Sequence, residues 1–303
     1  MLWLSFPAMA LLLALLLELL CGEPRRYHPL VGFGRVATAL EGRFNRGSMG
    51  IVVGALSYLA LLAIPVGLFL LLQHLLASWA WLLDAWALWF ALGAKSLFSH
   101  VRAIAAPLML GDLPQARRAL SFIVSRDCTA LDEEGVAKGA IESTLENGAD
   151  AIFASLFWFA VFGGVGVLIH RFTNTLDAMW GYRTPRFNHF GRCAARCDDL
   201  LNYIPARLTS LSYALLGQTA CALRAWREQA GLHDSPNAGP VMAAGAGSLG
   251  LTLGGAAVYH GRIEPRPALG YGPAPGAADI ERGLILVKTT MMVWIVSVLG
   301  VLL

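Results

Sequence analysis

Charged side chains are scarce in this chain. Only 14% of its 303 residues are Asp, Glu, Lys or Arg, whereas 56% are hydrophobic, a balance that excludes an ordinary soluble domain. The 23 Lys and Arg residues are interleaved with 20 Asp and Glu residues, so the sequence offers no basic face for nucleic acid. The composition indicates an integral membrane protein with no nucleic-acid partner.

Several familiar signatures are also missing. The five cysteines include no C-x-x-C pair, which argues against a zinc or dithiol site. No G-x-x-x-x-G-K-[ST] loop occurs, so an ATP site would not be of the P-loop type. Residues 245–250 match the dinucleotide fingerprint, but no strand-turn-helix pattern surrounds them. The strings Gly50-x-x-x-Gly54 and Gly250-x-x-x-Gly254 are therefore interpreted as close helix packing.

Four runs are apolar over about the 20 residues that a helix needs to cross a bilayer. These predicted spans are residues 2–20, 51–72, 79–97 and 284–303. No Lys or Arg precedes the first run and no cleavage site follows it, so we expect it to be retained. Three further segments, 151–169 (interrupted by Gly163-Gly164), 208–223 and 241–259, could span, re-enter or be buried in protein.

Basic residues predict the orientation, because cytoplasmic loops carry the excess of Lys and Arg. Residues 21–50 hold five, the link 73–78 holds none, and 95–149 and 170–207 hold six each. We therefore expect both termini outside and 151–169 buried or re-entrant. The prediction is an all-α, polytopic, single membrane-embedded domain over 1–303, with about four spanning helices. Its helical polar segments, on the cytoplasmic side of a bacterial inner membrane, are 21–50, 98–150, 170–207 and 224–283.

Asp84 lies in the middle of the third predicted span, where inserting a carboxylate costs roughly 2.5 to 3.5 kcal/mol. Two interpretations stay open on the sequence. Asp84 has an intramembrane partner or contacts a ligand, or it lies nearer the interface than the span suggests.

Three carboxylates recur at helical spacing within residues 137–150. Glu142, Glu146 and Asp150 stand at i, i+4 and i+8 and would share one helix face. A solvated face would tolerate the repulsion between them, whereas a half-buried face would need a cation. The junction with the apolar run from Ala151 favours a Mg²⁺ site that also meets phosphate oxygens.

A second polar block carries both signs of charge at helical spacing. It contains Asn174, Asp177, Arg192, Arg196, Asp198, Asp199, Asn202 and Arg207. An ordinary salt-bridged helix would show the same pattern. The alternative has the arginines holding phosphate, with Asp198 or Asp199 on a metal ion. Residues 233–237 form a turn by composition, and His28 and His233 are the histidines that lie in polar turns.

Six strings stand in order from about residue 20 to residue 283. They are Gly22-Glu-Pro-Arg-Arg-Tyr-His28-Pro29, Ser125-Arg126-Asp127, Glu142-Ser-Thr-Leu-Glu146-Asn147-x-x-Asp150, Asn174-Thr-Leu-Asp177, Ala194-Ala-Arg196-x-Asp198-Asp199-x-x-Asn202-x-x-Pro-Ala-Arg207 and Ser235-Pro-Asn237. Together they resemble the adenosylcobinamide-phosphate synthase family, known as CbiB or CobD. The chain departs from the family pattern at Ser125, Cys128, Gly148, Ala151 and Ser155, but it keeps the charged motif residues.

The resemblance implies an ATP-dependent condensation of adenosylcobyric acid with (R)-1-amino-2-propanol O-phosphate, or ethanolamine phosphate, to give adenosylcobinamide phosphate. Because the product is an amide, a carboxylate must be activated, most simply as an acyl phosphate, and the triphosphate needs Mg²⁺. The implied cofactors are ATP and Mg²⁺, and the implied site faces the cytoplasm. The lipid bilayer is a partner, and a homo-oligomer or a complex with other cobalamin-assembly membrane proteins is compatible with the resemblance.

The resemblance also suggests a role for each motif residue. The expected metal ligands are Glu142, Glu146, Asp150 and Asp198, and the expected catalytic base is Asp177 or Asp199. The residues expected on substrate or phosphate are Arg126, Arg196, Arg207, Asn174, Asn202, His28 and Asn237.

Two other functional classes stay open. A membrane transporter would show broken apolar segments and intramembrane charge such as Asp84, although the sequence has no internal repeat. A non-catalytic paralogue would keep the fold without the chemistry.

Overall fold

The computed structural model describes residues 5–23, 29–45, 50–259 and 262–303, which are mostly helical. The α-helices are α1 (Phe6–Leu20), α2 (Pro29–Phe44), α3 (Gly50–Leu76), α4 (Ala80–Ala91), α5 (Ala94–Met109), α6 (Leu113–Leu120), α7 (Glu133–Gly148), α8 (Ala154–Trp180), α9 (Arg192–Leu216), α10 (Thr219–Gln229), α11 (Ala238–Leu249) and α12 (Ala277–Leu302). Short 3₁₀ turns cover Ala77–Trp79 and Ala230–Leu232, and a π-helical segment covers Ala149–Phe153. The strands are β1 (Leu253–Gly254), β2 (Ala257–Tyr259), β3 (Arg262–Glu264) and β4 (Ala268–Leu269).

Three helical stretches of the described chain are long and apolar enough to cross a membrane, namely Gly50–Met109, Glu133–Trp180 and Ala277–Leu302. The first contains the predicted spans 51–72 and 79–97, and the third contains nearly all of 284–303. The predicted span 2–20 corresponds to α1, which is apolar but has only 15 residues. The helical membrane protein is confirmed, whereas the number of four spans stays a prediction.

The segment 241–259 does not form one helix. Helix α11 is buried along its whole length and ends at Gly250, whose φ of 65° is left-handed. β1 then pairs antiparallel with β4, and β2 pairs antiparallel with β3. The all-α prediction did not include these two small sheets, so it is wrong for this segment. The interpretation of Gly250-x-x-x-Gly254 as helix packing is wrong, because Gly254 lies in β1.

Gly54 does mark a close approach, as its motif predicted. A Cβ at this position of α3 would lie 2.0 Å from the carbonyl oxygen of Phe190. Only glycine lets the helix backbone lie this close to the segment that precedes α9.

Two compact units make up the chain. Unit 1 comprises Met1–Gly93, Ala154–Asn202 and Val296–Leu303, and unit 2 comprises Ala94–Phe153 and Tyr203–Ile295. In unit 1, α4 packs against α1 and α8, and a core forms around Tyr58, Trp180 and Phe190. In unit 2, α10 packs along α11, and α7 contacts α5, α6 and α11. Each unit is thus assembled from distant parts of the sequence.

An ion pair between the buried Glu41 and the exposed Arg186 ties α2 to the segment after α8 within unit 1. The Glu41 carboxylate accepts hydrogen bonds from Arg186 Nε at 2.9 Å and from Arg186 Nη2 at 2.5 Å. Asn45 Nδ2 donates to the same carboxylate at 2.7 Å. The hydrogen bonds from Arg186 hold the pKa of Glu41 below its usual value, although burial opposes them.

Helix α8 is interrupted inside its apolar run. Phe162 and Gly163 have non-helical backbone angles, and Gly163 has a φ of 59° and a ψ of −149°, a region that essentially only glycine occupies. The Gly164 N–H donates to Asp84 Oδ1 at 2.8 Å, and Gln73 Nε2 donates to the same oxygen at 2.9 Å. Asp84 therefore caps the second half of α8.

This contact gives Asp84 the polar partners that one of the two interpretations required, whereas its depth in the membrane stays a prediction. The carboxylate has polar partners within unit 1, which agrees with the intramembrane-partner interpretation. It also explains the glycines: a Cβ at Gly164 would lie 2.6 Å from Asp84 Oδ1 and 2.7 Å from Phe69 Cζ. The interruption of 151–169 by Gly163-Gly164 is thus confirmed.

Replacing Gly163 by Ala should lower the free energy of unfolding by about 1–3 kcal/mol, because a side chain strains this backbone conformation. The matched control is Gly67→Ala in α3, where a Cβ meets no atom within 4 Å and where helix propensity favours Ala. Thermal unfolding of the detergent-solubilised proteins, followed by circular dichroism, should show a lower midpoint for Gly163→Ala alone. Equal midpoints for the two variants would contradict the strained break.

Candidate functional site

A buried carboxylate in unit 2 is shared by two arginines. Glu142 of α7 is 2% exposed and forms a short hydrogen-bonded ion pair with Arg126. Arg266 Nη1 donates to Glu142 Oε2 at 3.2 Å, and the Gly254 N–H donates to Glu142 Oε1 at 2.7 Å. Two guanidinium groups thus surround the Glu142 carboxylate, and we call this group the unit-2 arginine cluster.

Loops and one small sheet position the arginine cluster. Arg126 lies between α6 and α7, and Arg266 lies between β3 and β4, flanked by Pro265 and Pro267. The pairing of Gly254 with Ala268 holds the backbone N–H that completes the site. Gly254 has a φ of 75°, and a Cβ there would lie 2.1 Å from the Pro267 carbonyl oxygen.

Arg266 was missed by the sequence analysis. It belongs to none of the helical charge patterns, because it stands in an irregular segment. The available signal was its position between two prolines, Pro265 and Pro267, since proline fixes the backbone on both sides of a side chain. An arginine held in this way is suited to a binding site.

The other two carboxylates of the predicted acidic face differ from Glu142. Glu146 follows one turn later on α7, where its side chain is accessible to solvent but close enough to Glu142, Arg126 and Arg266 to interact with their charges. Asp150 lies in the π-helical segment, whose wider turn changes the angular position of each following residue. That Asp150 shares the face of Glu142 stays a prediction. Asp150 is nevertheless close enough to Tyr213 that its charge, together with the larger effect of burial, raises the pKa of Tyr213.

A second polar site lies in unit 1. Asp198 of α9 accepts hydrogen bonds from Asn202 Nδ2 at 3.0 Å and from Asn174 Nδ2 at 3.3 Å. Asn202 Oδ1 in turn lies 2.9 Å from His170 Nε2. Burial and the neighbouring carboxylate of Asp177 raise the pKa of Asp198 to about 7. We call Asp177 and Asp198 the unit-1 aspartate pair.

Asp177 and Asp199 flank this site differently. Gly181 allows the Asp177 side chain to fold over the end of α8, because a Cβ there would lie 2.0 Å from Asp177 Oδ1. Burial raises the pKa of Asp199, while the positive charges of Arg196 and Arg183 oppose that rise. The negative charge of Asp199 is therefore partly compensated by Arg196 and Arg183.

Arg207 and Asn237 meet each other in unit 2. The Arg207 guanidinium lies over the Tyr203 ring, 3.6 Å from its centroid. Arg207 Nη1 donates to Asn237 Oδ1 at 2.7 Å, and Arg207 Nη2 donates to the Pro236 carbonyl at 2.9 Å. Arg207 thus holds the 233–237 turn, which confirms the turn predicted from composition.

The predicted site residues are divided between the units. Those of unit 2 are Arg126, Glu142, Glu146, Asp150, Arg207 and Asn237, and those of unit 1 are Asn174, Asp177, Arg196, Asp198, Asp199 and Asn202. His28 lies outside the described residues. In the described part of the chain, no group of three or more His, Cys, Asp or Glu side chains is placed to hold a metal ion. The assignment of metal ligands stays a prediction.

Comparisons with known proteins identify a family. The family described as CobD/Cbib protein matches residues 11–287. A protein of Stutzerimonas stutzeri (strain A1501) named Cobalamin biosynthesis protein CobD is 56% identical over 292 residues, covering 94% of this chain and 95% of its own. Proteins of the same name from Chromobacterium violaceum and Mycobacterium tuberculosis (strain ATCC 25618 / H37Rv) are 50% and 42% identical, covering 95% and 92% of this chain and 94% and 90% of their own. No solved structure gives a significant match.

Replacing Glu142 by Gln should lower the free energy of unfolding by about 3–5 kcal/mol, because two largely buried arginines would lose their counter-charge. The matched control is Glu134→Gln on the same helix, since Glu134 is half-exposed and pairs with Lys138 across one turn. That control should change stability by less than about 1 kcal/mol. Chemical unfolding in detergent measures both, and two equally small changes would contradict the buried cluster.

Replacing Asp198 by Asn should flatten the dependence of stability on pH. The folded protein holds the Asp198 proton up to about pH 7, against 3.8 for an ordinary aspartate, so ionisation of Asp198 destabilises the wild type as pH rises through this interval. Without divalent cations, the wild-type unfolding midpoint should fall more than that of Asp198→Asn between about pH 5 and about pH 8. Parallel pH profiles would contradict the raised pKa.

Proposed function

The chain belongs to the CobD/CbiB family, and on that premise we propose that it acts in cobalamin biosynthesis as an ATP-dependent amide synthase. The proposed reaction joins adenosylcobyric acid to (R)-1-amino-2-propanol O-phosphate, or to ethanolamine phosphate. The product is adenosylcobinamide phosphate.

The proposed chemistry has two steps. The corrinoid carboxylate attacks the γ-phosphorus of ATP, which releases ADP and leaves an acyl phosphate. The amine then attacks the acyl carbon, inorganic phosphate leaves, and one proton is removed from nitrogen. The protein must therefore hold phosphate groups, orient the carboxylate and accept that proton.

The arginine cluster of unit 2 is the observation that carries this proposal. Arg126 and Arg266 are the residues suited to phosphate, because guanidinium groups form paired, charge-assisted hydrogen bonds with it. Glu142 holds both guanidinium groups in place before a ligand arrives. The cluster has the preorganised positive charge that stabilises a phosphoryl group during transfer.

Glu142 is accordingly assigned a positioning role here, rather than the metal-binding role expected from the motif. Both of its oxygens already accept hydrogen bonds, Oε1 from Gly254 and Oε2 from Arg126 and Arg266. A carboxylate engaged in this way is a poor ligand for a second cation.

The aspartate pair of unit 1 fits Mg²⁺ better. Both Asp198 oxygens also accept hydrogen bonds, but from the neutral Nδ2 amides of Asn174 and Asn202 rather than from cations, and the Asp177 carboxylate lies close enough to interact with them. Mg²⁺ prefers oxygen ligands and commonly takes only one or two carboxylates from the protein, with water and phosphate completing the set. We assign Asp198 as a ligand, and Glu146 and Asp150 remain candidate ligands. Bound Mg²⁺ would neutralise charge on the triphosphate.

Asp177 is the proposed base for the amine. The alternative, Asp199, has its charge compensated by Arg196 and Arg183, so it is less available for a proton. Because ATP and the corrinoid precursor are cytosolic, we place the reaction on the cytoplasmic side of the bacterial inner membrane. The apolar helical stretches anchor the enzyme there.

Replacing Asp177 by Asn should lower the turnover number by about 10²- to 10⁴-fold, because the variant lacks the proton acceptor. The assay is mass-spectrometric detection of adenosylcobinamide phosphate from purified, detergent-solubilised protein given adenosylcobyric acid, aminopropanol phosphate and MgATP. Glu134→Gln is the control. Glu134 pairs with Lys138 on α7 and has no part in the proposed reaction, so this variant should keep wild-type turnover.

The wild-type result tests the proposed reaction itself. Folded wild-type protein that makes product only with ATP present would support the synthase. Folded wild-type protein that makes none would favour the non-catalytic paralogue, and movement of a corrinoid across proteoliposomes without product would favour the transporter.

A further inference from the structure

A cavity of about 780 Å³ lies in unit 2. Its walls come from α10, the 3₁₀ turn Ala230–Leu232, the 233–237 turn and the start of α11, with Arg207 at one side. Pockets for nucleotides and other small cofactors fall in the range of about 300–1,000 Å³. The proposed function leaves this cavity unused.

Small residues fix the shape of the cavity. α10 and α11 pack closely, because Ala222 and Ala225 are fully buried between them. A Cβ at Gly247 would lie 2.7 Å from the Ala222 Cα, and a Cβ at Gly239 would lie 2.4 Å from the Ala230 carbonyl oxygen. The backbones around the cavity therefore lie in direct contact at Gly239 and Gly247, where any side chain would clash.

The cavity combines an aromatic surface with positive charge. Trp226, Pro236 and Pro240 supply flat apolar surface, and Arg207 and Arg227 supply two cations against the one carboxylate of Asp234. Aromatic rings stack on nucleobases whatever the base, and arginine binds phosphate.

His233 adds a directed donor to the lining. Its Nδ1 accepts a hydrogen bond from the Ser235 N–H at 3.0 Å, which assigns the remaining ring proton of the neutral imidazole to Nε2. Burial lowers the pKa of His233, and the charge of Arg266 lowers it further, while Glu142 acts in the opposite direction. The cavity therefore lies within electrostatic range of the arginine cluster.

Size and charge select among the three substrates of the proposed reaction. The aminoalcohol phosphate is too small to fill this volume. Adenosylcobyric acid is much larger, and its amide-rich periphery with a single carboxylate gives two guanidinium groups little to bind. A nucleoside triphosphate has both a flat base and a highly charged tail.

We propose that this cavity binds ATP, with the purine on Trp226 and the phosphates towards Arg207 and Arg227. This assignment rests on the proposed ATP-dependent function and adds the location of the nucleotide. It also gives the neighbouring arginine cluster of unit 2 a position from which to meet the triphosphate.

The test measures equilibrium binding of radiolabelled ATP to the purified full-length protein in detergent. Arg227→Ala removes an exposed cation of the cavity, and Trp226→Leu removes the aromatic face. Each should raise the dissociation constant by about tenfold or more, as expected for one lost charged hydrogen bond or one lost stacking contact.

Arg224→Ala is the matched control. Arg224 has the same chemistry on the same helix, but it pairs with Glu228 at 3.3 Å and lies over the Tyr271 ring, outside the cavity lining. It should leave ATP binding within about twofold of the wild type. Circular dichroism of each variant verifies the fold, and Arg227→Ala, being exposed, keeps the test valid if Trp226→Leu misfolds.

Photo-crosslinking with azido-ATP locates the site independently. Label in the peptides around Trp226 and residues 230–240, reduced in Arg227→Ala, would support the assignment. If wild-type protein makes product and binds ATP, but Arg227→Ala binds equally well and the label lies elsewhere, only the cavity assignment is overturned. If folded wild-type protein binds no ATP, the proposed function fails together with it.

Discussion

The charge of Glu142 organises unit 2. A single buried carboxylate joins three segments that are far apart in sequence, because it binds Arg126 before α7, Arg266 after β3 and the backbone of Gly254 in β1. Removing a charge pair from water is unfavourable unless its geometry is complete. The small sheet of β1 and β4 and the two prolines around Arg266 complete that geometry. The irregular segment after α11 thus places both Gly254 and Arg266 on the Glu142 carboxylate.

Features of the sequence that follow regular helical or apolar patterns were predictable. The apolar helix at 51–72, the helix carrying Glu142 and the turn at 233–237 follow from hydropathy, spacing or turn composition, whereas the predicted span 79–97 is broken at Leu92 and Gly93, between α4 and α5. Features that depend on long-range pairing were not. Arg266 pairs with a carboxylate 124 residues away, and Arg186 pairs with one 145 residues away. No local sequence pattern predicts such pairs. The π-helical segment Ala149–Phe153 is a further case, because no local sequence pattern predicted it.

The two polar sites have opposite electrostatic character. In unit 2, two guanidinium groups lie close together on one buried carboxylate, and both can donate hydrogen bonds to an anion. In unit 1, Asp177 and Asp198 repel each other, and the amides of Asn174 and Asn202 compensate only partly. Each polar site is therefore described by the charges of its own unit.

The contact between Asp84 and Gly164 has a consequence for biogenesis. The two residues are 80 positions apart, so the ribosome has already delivered α4 when the second half of α8 emerges. In lipid, the uncovered N–H groups at a helix break have no water to bind. The Gly164 N–H therefore lacks its acceptor until it reaches Asp84, whereas Asp84 already has Gln73 of α3 as a donor. The break in α8 is therefore stable in lipid only once α4 lies beside it, so we expect α8 to complete its insertion against α4 during the assembly of unit 1.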